Sequence, residues 1–111
     1  MRIPKHVNIG GFRYKVNVTD MLTLGAGYQG ECDFTNLVIN LRPGNRGRME
    51  QVLLHEVVHA VYDHLGFTEH DEQQVDMLAS ALHALIVNNP EMFRPRTKNK
   101  TGNGEEWKTR S

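Results

Sequence analysis

The stretch VLLHEVVHAVYDHLG, residues 52–66, constrains this chain more than any other. Leu54, Val58, Val61 and Leu65 recur at spacings of four, three and four, which puts them on one face of a helix over residues 49–65; Gly66 follows as a natural stop. Into that apolar run the sequence sets His55, Glu56 and His59, and ionisable groups on a core-facing helix cost stability unless they are satisfied. His55 and His59 lie one helical turn apart on the same side and can converge on one ion. Neutral imidazole suits zinc, a catalytic zinc keeps one position open to water, and Glu56 stands beside His55 where it can reach that water. HExxH spacing thus predicts two metal ligands and a general base. The alternative is a pair of ordinary helix histidines satisfied by carbonyls or solvent, and the strength of the helix pattern on both sides of the motif argues against it.

The rest of the chain supplies a small sheet and a second helix. VNIGGFRYKVNV, residues 7–18, reads as two alternating runs around Gly10 and Gly11, a hairpin with a Gly-Gly turn, with Phe12, Tyr14, Val16 and Val18 on one face. YQGECDF and NLVINL flank a polar corner at residues 33–36 and read as a second hairpin, while DMLTLGAG between the two hairpins offers at most one helical turn. Beyond Gly66, Thr68 and Asp71 resemble a capping box, and Val75, Leu78, Leu82, Leu85 and Ile86 form an apolar stripe ending at Asn88, before Pro90. On this reading about two residues join the helices, which would pack as a tight hairpin. The expected fold class is α+β: a small antiparallel sheet of three to four strands, then a site-bearing helix and a second packed helix.

A third ligand has to come from outside the motif. His64 is rotated well away from His59 on the helix, and Leu65 cannot ligate. The start of the second helix offers Glu69, His70, Asp71 and Glu72, of which Glu72 opens an E-x-x-x-D spacing that puts Glu72 and Asp76 on one face. Glu72 is the expected ligand and His70 the alternative. Asp76 is placed to accept a hydrogen bond from the outer nitrogen of a liganding histidine. These acids also suit the positive end of a helix dipole, a reading that applies to those that do not ligate.

LLHEVVHAVYDHLG followed by HDEQQVDMLASALHALIVNNPEMF resembles the small phage- and bacterium-encoded zincin-like metallopeptidases, with a gluzincin-type HExxH and a downstream glutamate, and more distantly the ImmA/IrrE family. The similarity covers about residues 3–93. It implies His55, His59 and Glu72 as zinc ligands, Glu56 as general base and Asp76 as the supporting aspartate, in a minimal zincin domain that hydrolyses peptide bonds. The chain lacks the family's helix before the first strand and any second domain. A peptide substrate could pair with an exposed strand edge, for which NLVINL, just before the motif helix, is the candidate. Tyr28, Tyr62, His64, His70 and His83 are available as oxyanion donors, and spacing distinguishes none of them.

A different class of function is a catalytically silent zinc-binding regulator or interaction protein of a phage or mobile element. A closed structural site normally uses four protein ligands, often cysteines; here the sole cysteine, Cys32, falls in the sheet, and His83 lies about three turns from Glu72. Glu56 would then have no role. That weighs toward the enzyme.

Charge divides the chain. Residues 1–93 carry 7 Lys+Arg and 11 Asp+Glu, whereas residues 94–111 carry 6 and 2, together the 13 and 13 of the whole chain. The division predicts one domain over residues 1–93 and a basic C-terminal tail over 94–111 whose composition cannot sustain a core, hence disorder. Nucleic-acid contact through that tail is a minor expectation, since only Trp107 could stack on a base and the body is acidic. With one cysteine, and with neither a signal-peptide pattern nor a membrane-length apolar run, the expected setting is the cytoplasm, including a host cytoplasm if the protein is phage-encoded.

Overall fold

A computed structural model of the chain describes residues 1–94; the expected basic tail lies outside the described residues apart from Arg94. The chain runs β1 (His6–Ile9), β2 (Phe12–Val18), β3 (Gly30–Asp33), β4 (Val38–Leu41), α1 (Arg46–His64) and α2 (Glu72–Asn88), closing with a 3-10 turn at Pro90–Phe93. The α+β arrangement matches the expectation from sequence. Among the described residues no helix is long and apolar enough to cross a membrane.

Both hairpins form where their turn residues demand. Gly10 and Gly11 carry φ of 57° and 87°, the left-handed pair that a two-residue hairpin turn needs. Gly10 has a second constraint, because a Cβ there would run into the His64 ring at the end of α1. At the other hairpin Asp33 Oδ1 accepts the Thr35 and Asn36 amides at 3.0 and 2.9 Å, an Asx turn that returns the chain into β4.

Sheet order is β1-β2-β4-β3, and this departs from the antiparallel expectation at one pairing. Each hairpin is antiparallel internally, but β2 and β4 run parallel, in register Val16↔Ile39 and Val18↔Leu41. The reason is the connection over residues 19–29, which carries the chain past the β4 position so that β3 becomes the outer strand and β4 returns inside it. NLVINL is therefore an interior strand with neighbours on both sides. Among the described residues the free edge on that side of the sheet belongs to β3.

Helix α1 is sandwiched. Leu53 and Ala60 meet Ile9, Tyr14, Val16, Ile39 and Leu41 of the sheet, while Leu54 and Val58 meet Val75 and Ala79 of α2. Fully burying a residue such as Ile39, Leu41 or Val75 is worth about 1.5–3 kcal/mol, and these contacts set the order sheet, α1, α2. Several boundaries differ from the sequence reading. Asn45 caps α1 by accepting the Arg48 amide at 2.9 Å, so the helix starts three residues earlier than its apolar period suggests. Leu65 closes α1 but is 63% exposed, with Gly66 left-handed beyond it at φ 92°. The cap of α2 is Asp71, which accepts the Gln73 and Gln74 amides, and not Thr68. The link between the helices is consequently residues 65–71, longer than the expected two. On α2 the buried line is Val75 and Ala79 with Leu82 and Ile86 packed beside it, leaving Leu78 and Leu85 each 41% exposed.

Residues 19–29 contain no helical turn. Two charged side chains organise the segment. The Arg42 guanidinium donates to the carbonyls of Tyr28, Gly25 and Asp20 at 2.8, 3.1 and 3.2 Å. Buried Glu31 accepts the Thr23 hydroxyl at 2.9 Å and the Leu24 and Thr23 amides at 3.0 and 3.2 Å. It also accepts the Asn40 amide at 2.7 Å, which ties the loop to β4. Burial pushes the Glu31 carboxyl up, but these bonds from Asn40, Thr23 and Leu24 outweigh it and leave the group below its ordinary value.

Candidate metal centre

One side of α1 faces neither the sheet nor α2 with apolar groups, and there His55 and His59 stand one turn apart. Glu72, the first residue of α2, reaches across to both: Oε1 lies 3.1 Å from His55 Nε2 and Oε2 lies 2.8 Å from His59 Nε2. One ligand atom from each of these three residues lies within 4.8 Å of the others. The imidazoles are largely enclosed, at 20% and 14% side-chain exposure, whereas Glu72 is 66% exposed and closes the group from the solvent side.

The donor chemistry fits a cation. Asp76, one turn along α2 from Glu72, places Oδ1 2.7 Å from His55 Nδ1. Both carboxylates only accept, so with Asp76 taking the Nδ1 proton of His55, a cation between Nε2 and Glu72 would replace a second ring proton there. Burial, with the neighbouring His55 and His70 adding to it and Glu72 opposing, holds the His59 imidazole below its ordinary pKa and favours the neutral form that ligates. Two ring nitrogens and a carboxylate converging on one point are an arrangement a divalent ion satisfies. Two histidines and one carboxylate are a donor set that suits zinc.

Glu56 lies beside this group but is not one of its three converging ligands. It is 8% exposed, lining a cleft of about 340 Å³ with Tyr28, Gly30, Arg48, Val52, His55 and Asp76, and it also faces the adjoining hollow that contains His59 and Glu72. Burial pushes its carboxyl up to about 7, with His55 pulling the other way and the charges of Glu72 and Glu31 adding to the rise. Gly30 makes the close approach possible, since a Cβ there would sit 2.6 Å from Val52 Cγ1 and 3.3 Å from Glu56 Oε2. Cys32 shares the hollow, yet burial, with the charge of Glu56 added, pushes its thiol up to about 12, so it remains protonated.

The remaining sequence candidates separate cleanly. Tyr28 lines both clefts, alone among the five proposed oxyanion donors. His64 rests against Phe12 and the Gly10 turn, on the far side of α1. His83 binds buried Glu50 at 2.9 Å, well along the helix pair from Glu72. His70 is not one of the three converging ligands; its Nδ1 lies 2.7 Å from His59 Nδ1, behind that ring. Sequence reasoning passed over Gly30, Glu31 and Arg42, whose roles depend on contacts far along the chain. No protein-family model, curated protein or solved structure matches the chain.

Proposed function

We propose that the protein is a zinc-dependent metallopeptidase, with His55, His59 and Glu72 holding the metal and Glu56 as general base. The observation that carries this reading is the convergence of the three ligand atoms within 4.8 Å at the rim of a cleft that also holds a buried carboxylate. Zinc bound there would supply Lewis acidity, polarising a carbonyl oxygen and making water more acidic.

The chain's own groups account for the rest. Glu56 takes a proton from the attacking water as its oxygen bonds to the carbonyl carbon, then returns that proton to the amine as the C–N bond breaks. Burial suits it to this exchange, because a base works best with a pKa near the working pH. Tyr28 and Ser80 both bring hydroxyls to the cleft, and Tyr28, which also lines the hollow holding His59 and Glu72, is the one placed to donate to an oxyanion.

The substrate strand lies along β3 and not along β4. Because the Arg42 amide donates to the Gln29 carbonyl at 2.8 Å, pair 29/42 is a hydrogen-bonded pair, and alternation along the ladder turns the peptide groups of Gly30 and Cys32 outward. An extended peptide pairing there would pass over Glu56, held by main-chain bonds and without demanding a particular sequence.

The test is Glu56→Gln. As a base outside the metal's ligand set, Glu56 can be replaced with fold and zinc content retained, while turnover of an unstructured protein substrate falls by roughly 10²-fold or more. Equal cleavage by both proteins would reject the mechanism. If neither cleaves, binding of a hydroxamate to wild-type zinc keeps the open coordination position; absence of binding favours a zinc-binding regulator.

A further inference from the structure

The two imidazoles of the metal centre are supported in unlike ways. His55 has a carboxylate behind it, whereas behind His59 stands another imidazole, that of His70, in the loop between the helices. His70 is tightly placed. Its ring meets Tyr62 edge-on at 5.4 Å and Phe34 at 6.3 Å, and its Nε2 lies 3.1 Å from the Phe67 carbonyl oxygen. The carbonyl is held in turn, since the Phe67 amide donates to the Tyr62 carbonyl at 3.0 Å and the Phe67 ring packs on Tyr62 at 5.6 Å. Asp71, the next residue after His70, caps α2 and starts the helix that delivers Glu72.

The order of protons along this chain follows from its fixed end. A backbone carbonyl only accepts, so His70 Nε2 bears the proton. In the neutral ring that leaves His70 Nδ1 bare. The only way for two Nδ1 atoms to lie 2.7 Å apart is for one to donate, and the donor is then His59. The ring centroids are 4.9 Å apart with planes inclined by only 23°. That separation is about the N···N distance plus one ring radius at each end, so the rings meet edge to edge and the bond lies in both ring planes. On its other side His59 Nε2 lies 2.8 Å from Glu72 Oε2, which also only accepts, so a cation bound there would take the place of an Nε2 proton while Nδ1 keeps the proton it gives to His70.

We propose that His70 is a positioning residue for the metal: by accepting the Nδ1 proton of His59 it holds that imidazole in the tautomer and orientation in which Nε2 ligates. The inference rests on the metal centre proposed above. It gives the seven-residue loop 65–71 a function, because the Phe67 carbonyl, His70 and the Asp71 cap form a continuous strap that orients one ligand and supplies another. It also assigns His70 a place outside the metal's ligand set, where the sequence left it as an alternative to Glu72.

The experiment uses full-length protein labelled with ¹⁵N-histidine. In zinc-loaded protein, His59 should show a proton on Nδ1, slow to exchange, with N–N scalar coupling to His70 Nδ1 across the hydrogen bond. A zinc-loaded His59 without a proton on Nδ1, or without that coupling, overturns the proposal, and this measurement needs no variant to fold. Zinc affinity by chelator competition should fall about 10–100-fold in His70→Leu, the range for loss of a partner behind a metal ligand. His70→Asn should recover most of that loss, because its Oδ1 takes the place of Nδ1 as acceptor. Unchanged affinity in His70→Leu overturns the role, and so does X-ray absorption that finds three imidazoles on zinc. Wild-type protein that binds no zinc refutes the metal centre itself; zinc binding indifferent to His70 refutes only this inference.

Discussion

The candidate cleft has two walls that are built on different principles. One is α1, a 19-residue helix locked by two apolar faces, one against the sheet and one against α2. The other is the end of the 19–29 segment with the first residue of β3, a stretch with little apolar burial, placed by the Arg42 guanidinium on one side and the Glu31 carboxylate on the other. Many small contacts hold the first wall and a few polar ones hold the second. Loss of one contact should therefore lower the stability of the helix wall without changing its shape, whereas the loop wall should change shape when a single partner is lost.

The largest effect is expected on the helix wall. Leu53 is 2% exposed between α1 and the sheet, and Leu53→Ala should lower unfolding free energy by about 2–5 kcal/mol in urea titration, with one cooperative transition retained. On the loop wall Glu31→Gln replaces an acceptor of four hydrogen bonds by a group that must turn a donor toward some of them. About 1–3 kcal/mol is expected, because this buried side chain loses charged hydrogen bonds and turns a donor toward other donors. The Leu24 amide should then exchange with solvent much faster than the amides of α1. If exchange instead rises equally everywhere, the loop is not separately held and the contrast between the walls fails.

Acid reaches the same carboxylate without mutation. The Glu31 carboxyl lies below its ordinary value of 4.5 in the folded chain, so the unfolded chain binds more protons on this group between the two values. Its contribution to stability is complete above 4.5 and is lost as pH falls through the lower, folded value. Wild-type stability should drop over that acidic window, and Glu31→Gln should lose that part of the pH dependence.

Gly30→Ala examines where the two walls touch. Its Cβ would press on Val52 and Glu56, so the cleft should widen at a cost of about 1–3 kcal/mol, with zinc binding largely kept and Glu56-dependent turnover reduced. The smallest effect should come from Arg42→Met, about 0.5–1.5 kcal/mol for exposed hydrogen bonds. Here limited proteolysis is the sensitive readout, with new cuts confined to residues 19–29.

What was legible in the sequence follows the same division. Periodicity revealed α1 and α2, and the HExxH spacing placed His55, Glu56 and His59 correctly along one helix because a helix turns spacing directly into geometry. Glu72 and Asp76 were readable for the same reason. Gly10-Gly11 and Asp33 announced their turns through local backbone preference. The parallel pairing of β2 with β4 was not readable, since both hairpins look the same whichever strand ends inside. Nor was the partnership of Arg42 with carbonyls up to 22 residues away, because nothing in a carbonyl's own residue type marks it as an acceptor. His70 was visible as a histidine near the site, but its role depends on which of its two nitrogens faces His59, and no spacing encodes that.

The parallel β2/β4 pairing described above has a consequence for how the chain assembles. β1 with β2, and β3 with β4, are each closed by a short turn and can form from neighbouring residues, so the sheet consists of two locally made halves. They meet along one seam of four residue pairs, Lys15↔Val38 to Val18↔Leu41, and Val16, Ile39 and Leu41 on that seam are the residues on which α1 sits. Joining the halves requires closing the intervening segment, a search whose entropy cost comes before the reward of helix packing. The seam is thus the natural place for the rate-limiting step of folding, and α1 acts as the clasp that makes it permanent.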